Sequence, residues 1–129
     1  MSIKIKRVYV AGLLTPRGIW SQNLAIDHLI NQRKMIRSAL DVFQAGFDPF
    51  VPAFDHLFWM VMQDGEYISE PMIKRYSKSW LEACDAVVLT PNWQKSTGTL
   101  AEIEHAKKIG IPVFESLELL KEYTEGDNE

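Results

Sequence analysis

The sequence predicts an α/β fold built around a parallel sheet of about four to five strands. Three observations lead there. An apolar run near the N-terminus stops at Gly12, strand-like and helix-like patterns then alternate to the end, and the composition is 47% hydrophobic and 24% charged, the balance of a globular protein. The 129 residues can bury a core without metals or disulfides and leave no room for a second unit, so residues 1–129 are read as one domain.

Residues 3–11 alternate and then become continuously apolar, as a strand entering a buried sheet does. Residues 13–22 carry Thr15, Pro16 and Gly18 and read as a loop, after which Asn23 can cap a helix running to Gln44. Leu29, Ile36, Leu40 and Phe43 share one face of that helix, the face expected to pack, and Ala45-Gly46 stops it. Residues 47–54 contain Pro49 and Pro52, which removes two backbone donors and points to a short strand near a sheet edge.

Residues 55–67 hold Leu57, Phe58, Trp59, Met60 and Met62 around a helical turn closed by Asp64-Gly65; such a stripe packs as core or walls a pocket or interface. Ser69 can cap a helix beginning Glu70-Pro71 and continuing to Ala83, and residues 85–89 form a buried strand. A helix over residues 98–109, a strand over 111–114 and a terminal helix over 116–123 complete the pattern, with residues 125–129 expected to fray. Right-handed crossovers put helices on both faces of such a sheet, which makes a Rossmann-like or flavodoxin-like three-layer sandwich. Ligands in these folds bind beyond the carboxyl ends of the strands, so function belongs to the loops after Val10, Pro52 and Leu89.

Charge and cysteine usage narrow the class. The net charge of −3 gives no positive field for a nucleic acid polymer, and Lys4, Lys6 and Arg7 read as a solvated flank. Cys84 is the one cysteine, which rules out a disulfide framework within the chain and fits a reducing compartment. With neither a signal-peptide pattern nor a run of about 18 apolar residues, the expected location is cytoplasmic, without a membrane partner. His28, His56 and His105 lack metal-ligand spacing, and Gly12 stands alone rather than in a dinucleotide fingerprint, so no metal and no cofactor are expected.

The segment most suited to chemistry follows the strand ending at Leu89. Ser96, Thr97, Gly98 and Thr99 fall at or near a helix N-terminus, where free amides and the helix dipole favour an anion and glycine permits close approach. The same residues also fit an ordinary cap with a glycine turn. Glu102 falls near that end, where the dipole is expected to lower its pKa and keep it ionised as a nucleophile; it also fits a capping box with Thr99.

Val8-Tyr9-Val10-Ala11-Gly12, the stretch from Trp80 to Leu89, and Ser96-x-Gly98-x-x-x-Glu102-x-x-x-Ala106 followed by Gly110-Ile111-Pro112-Val113 together resemble the nucleoside 2-deoxyribosyltransferase-like superfamily. The resemblance spans most of the chain and is nearest to short, uncharacterised bacterial and phage members. It implies that Glu102 attacks the anomeric carbon of a deoxyribose and expels the base. The position of Ser96 is an aspartate in the transferases and a phosphate-facing serine in the monophosphate hydrolases, so Ser96 implies a nucleotide over a nucleoside. One departure stands out: active members carry an aspartate three residues before the Trp80 position, where this chain has Ser77. Asp85 begins its strand and lies at the wrong end, so Asp55 is the substitute expected as general acid.

Tyr9, Gly12 and Arg17 can reach a ligand from the first loop, Arg17 as a phosphate partner, although a strand tyrosine is also ordinary core and a loop arginine ordinarily solvated. Trp93 can stack on a base or pack beneath its loop. The expected activity is that of a nucleotide N-glycosidase or 2-deoxyribosyltransferase-like enzyme; the alternative is a nucleotide-binding or sensing module that keeps the fold without the chemistry. A homo-oligomer built from two-fold dimers is expected, with residues 55–67 at or near the interface.

Overall fold

In a computed structural model the chain is described over residues 4–14 and 24–127. Four strands, β1 (Arg7–Ala11), β2 (Asp48–Phe50), β3 (Ala86–Leu89) and β4 (Val113–Phe114), form one sheet in the order β2-β1-β3-β4. Every pairing is parallel, with Tyr9 level with Phe50 on one side and Val87 on the other. The helices are α1 (Leu24–Gln44), α2 (His56–Trp59), α3 (Glu70–Glu82), α4 (Thr97–Lys108) and α5 (Leu117–Asp127), so the architecture is the three-layer α/β sandwich that the alternation predicts. No helix among the described residues is long and apolar enough to cross a membrane.

Alternation along β1 sends its side chains into two separate cores. Val8 and Val10 meet Met35, Ala39 and Val42 of α1 and Leu120 of α5, while Tyr9 and Ala11 meet Leu81 of α3 and Ala106 of α4 on the opposite face. Helix α1 packs on one face and α4 on the other, so the strand order reverses between β1 and β3, the position at which sheets of this kind form a crevice. At the amino ends, the Asp85 carboxylate accepts from the amides of Lys6 and Arg7 at 2.9 and 3.0 Å. That places Asp85 far from the crevice, as its position at the start of a strand implies.

Several local expectations are corrected. The face of α1 that packs is Gln32, Met35, Ala39 and Val42, whereas Leu29, Ile36, Leu40 and Phe43 stay exposed. Small Ala39 lets the helix approach the sheet closely, and the Gln32 amide reaches across to donate to Ala53 O at 3.1 Å. Beyond β2 the chain turns through a short 3-10 segment, Pro52–Asp55, and α2 spans one turn with Leu57, Phe58 and Met60 largely exposed, so this stripe is not core. Residues 125–127, expected to fray, belong to α5. Asn23 and Arg17 lie outside the described residues.

The crest of the sheet is the tightest place in the fold. A Cβ placed on Gly12 would sit 1.7 Å from Thr90 Oγ1, and Thr90 itself is buried with its amide bonded to Ala11 O at 2.9 Å. Thr99 Oγ1 then donates to Gly12 O at 3.0 Å, tying α4 to the end of β1. Gly12→Ala is expected to cost about 3 kcal/mol, since neither threonine can withdraw without losing a buried contact. Denaturant melts test this, and adding Thr90→Ala to that variant is expected to recover part of the loss.

Candidate functional site

The loop after β3 descends through Asn92, held in the left-handed region at φ 70°, and a 3-10 turn over Trp93–Lys95 to reach Ser96. Ser96 is the N-cap of α4, its Oγ accepting from the Thr99 amide at 3.1 Å. The helix therefore starts earlier than expected, and Glu102 stands in its second turn, not as a capping-box partner of Thr99. From there the Glu102 side chain points inward over β1.

Glu102 meets Tyr9 there. Tyr9 is wholly buried at the middle of β1, and both its Oη and Glu102 Oε2 are enclosed without a hydrogen-bond partner among the described residues. The two groups nonetheless lie close enough to couple. Burial pushes the Glu102 carboxyl up to about 7, against a smaller pull downward from the Tyr9 hydroxyl. Burial likewise holds the Tyr9 phenol well above its ordinary value, reinforced by the Glu102 charge and partly offset by the Ser77 hydroxyl. The expectation that the helix dipole keeps Glu102 ionised is thus overturned: desolvation outweighs a dipole whose influence fades beyond the first turn.

Ser77 comes from α3 and reaches the same buried phenol, so Tyr9, Glu102 and Ser77 converge from a strand and two helices. An aromatic wall continues from this group toward the sheet edge. Phe50 lies 5.7 Å from Tyr9, stacks on Trp80 at 5.1 Å and 12°, and approaches Tyr76 at 5.9 Å between ring centres. Asp55 is buried beyond β2, and its charge, after burial, raises the pKa of Tyr76, which puts it near that ring of the wall.

The remaining candidates divide by what the chain itself asks of them. Gly12 and the Thr99 side chain are consumed by internal packing, with Thr99 only 1% exposed. Gly98 is different: an added Cβ there would meet nothing closer than Ser96 Oγ at 3.9 Å, so no packing within the described residues requires a glycine. Trp93 is half-buried against the Tyr9 and Leu89 core face, as a side chain packed beneath its loop. An open groove of about 650 Å³ runs between the C-terminal half of α1 and α5 and borrows Thr90 to Gln94 for one wall, but Glu102, Tyr9 and Ser77 do not line it. We place the candidate site at the enclosed carboxylate because an open trough gives charged groups little reason to act differently than in water. No cluster of three metal-ligating side chains occurs among the described residues.

The sequence reading missed the pairing of Tyr9 with Glu102. The signal that could have found it is the parity of β1, which sends Tyr9 to the face opposite Val8 and Val10.

With a folded pKa of about 7 against an ordinary value near 4.5, Glu102 binds its proton more tightly in the folded chain. Its contribution is greatest at low pH and is lost as pH rises through 7, the cost of ionising it in place reaching about 3 kcal/mol. Glu102→Gln is expected to flatten the fall in melting temperature between about pH 5 and about pH 8 and to raise stability at the upper end.

Among solved structures, the chain is similar to a conserved protein from Enterococcus faecalis V583, with 22% identity, a TM-score of 0.50 and coverage of 85% of this chain. It spans 62% of the length of that protein, and the likeness is one of fold. No curated protein matches the sequence. A family model described as a domain of unknown function, DUF4406, matches residues 6–115, and the chain belongs to that family.

Proposed function

We propose that the protein is a nucleotide N-glycosidase or 2-deoxyribosyltransferase-like enzyme, acting on a deoxynucleoside monophosphate with Glu102 as nucleophile. The observation that carries this reading is the enclosed Glu102 carboxyl facing the Tyr9 phenol, on strand β1 beside the point where the strand order reverses. Burying a carboxyl against a phenol costs stability that an apolar pair of similar volume would keep, which favours a chemical role for the pair.

In this reading the ionised carboxylate attacks the anomeric carbon, and the electron pair of the breaking C–N bond leaves with the base. Asp55 supplies a proton to the departing base, and water, giving a proton back to the Asp55 carboxylate, then attacks the anomeric carbon of the glycosyl ester to release the sugar phosphate and restore the Glu102 carboxylate. The Tyr9 hydroxyl orients Glu102 and stabilises its charge as it forms. Ser96 and the open backbone at Gly98 receive the phosphate at the start of α4, where the glycine that packing does not demand lets it come close. A pocket at the sheet crest, a nucleotide as partner and a reaction without cofactor belong to this one proposal.

A second reading, binding without turnover, is favoured by Ser77: it stands beside Tyr9 where a second carboxylate would assist the sugar or base. One set of measurements separates the two. Incubation with the four deoxynucleoside monophosphates is expected to release free base from at least one, with Glu102→Ala inactive and Tyr9→Phe slowed about 100-fold. The rate is expected to rise with pH through about 7, where Glu102 loses its proton. Thermal stabilisation by a nucleotide without base release would favour the binding module, and neither effect with any nucleotide or nucleoside would remove both readings.

A further inference from the structure

The side of α1 that the fold leaves exposed has a register of its own. Ile26, Leu29, Arg33, Ile36, Leu40 and Phe43 alternate in spacings of three and four, the a and d positions of a coiled-coil seam sustained along nearly the whole helix. Leu29 is 53% exposed and Phe43 61%, with Ile36 and Leu40 close behind, while the neighbouring stripe from Gln32 to Val42 is committed to the sheet. A surface helix that needs one apolar stripe therefore carries two.

We propose that this seam is a two-fold interface, in which α1 of one protomer packs antiparallel against α1 of its partner. The register is self-complementary in that orientation: Leu29 of one copy faces Leu40 of the other, Ile26 faces Phe43, and Arg33 faces Ile36. An antiparallel pair puts a against d in every layer, so each Arg33 meets an aliphatic side chain and can lay its stem along it while the guanidinium reaches water. A parallel pair would instead set Arg33 against Arg33 in the central layer. The orientation is decided by that one charged position.

The area is of the right order. Leu29, Ile30, Ile36, Leu40 and Phe43 are between 40% and 61% exposed and together present roughly 500 Å², against about 800 Å² per partner in a standard interface. The exposed Phe54 and Leu57 adjoin the turn that Gln32 of α1 holds through Ala53 O, and they extend the apolar surface from the helix onto residues 54–57. The sequence expectation put residues 55–67 at or near the interface; here residues 54–57 form its margin.

The test uses the full chain. Sedimentation of the wild-type protein at micromolar concentration is expected to give a dimer, or a larger assembly built from dimers, and Leu40→Glu a smaller species with unchanged circular dichroism. Because Leu40 is exposed in the single chain, that substitution does not threaten folding. Orientation is read by oxidation: Leu29→Cys mixed with Leu40→Cys is expected to form a mixed disulfide, while each variant alone does not. Cys84 is buried and stays out of the reaction. A monomeric wild-type protein, an assembly unaffected by Leu40→Glu, or self-linking of Leu29→Cys alone would each overturn the proposal.

Discussion

The functional end of this molecule depends on how closely β1 and β3 approach at their carboxyl ends. The absence of a side chain at Gly12 lets Thr90 close over the backbone, and the carbonyl so positioned is the acceptor that fixes Thr99. Thr99 is in turn the residue whose amide is capped by Ser96. Gly12 thus lets the start of α4, the helix that carries Glu102, be tied to the end of β1. Sheet geometry and site geometry are a single constraint here, which is why a hydroxyl buried far from solvent matters to a carboxylate a turn away.

The same packing imposes an electrostatic tension. The face that holds Glu102 is otherwise apolar, built from Leu81, Val87, Leu89 and Ala106 around Tyr9. Setting a carboxyl and a phenol into it, each with an unsatisfied atom, spends stability that apolar side chains of similar volume would have kept. The opposite face carries a larger apolar core, with Val8, Val10, Met35, Val42 and Leu120 among its members, and the Gln32 amide there donates to Ala53 O. A group poised near neutrality by its surroundings exchanges its proton readily, which is the property that acid, base and nucleophilic chemistry all need.

Much of the layout was legible in the sequence. The strands at Val8–Ala11 and Ala86–Leu89, the Ser69 cap with Pro71 in the first turn, and the edge position of the proline-bearing β2 all follow from local rules that nothing in the tertiary structure opposes. Other features were hidden because local rules could not rank competing solutions. Two stripes on α1 are both apolar enough to pack, and the sheet took the one with the smaller residues. Ser96 and Thr99 are both good caps, and local rules did not choose between Glu102 as a capping partner at the helix end and Glu102 in the second turn. Its raised pKa arises from burial by residues distant in sequence, and no local pattern reports that.

The two borders of the sheet have a consequence for how copies of this chain can meet. The Asp48 amide is spent inward on Lys6 O, so the nitrogen of Pro49 falls on the outer side of β2, where it offers no hydrogen to a visiting strand. At the opposite border β4 is only two residues long and follows Pro112. Among the described residues each margin is thus a poor template for an added strand. Contacts between copies would then fall to side chains and not to backbone pairing.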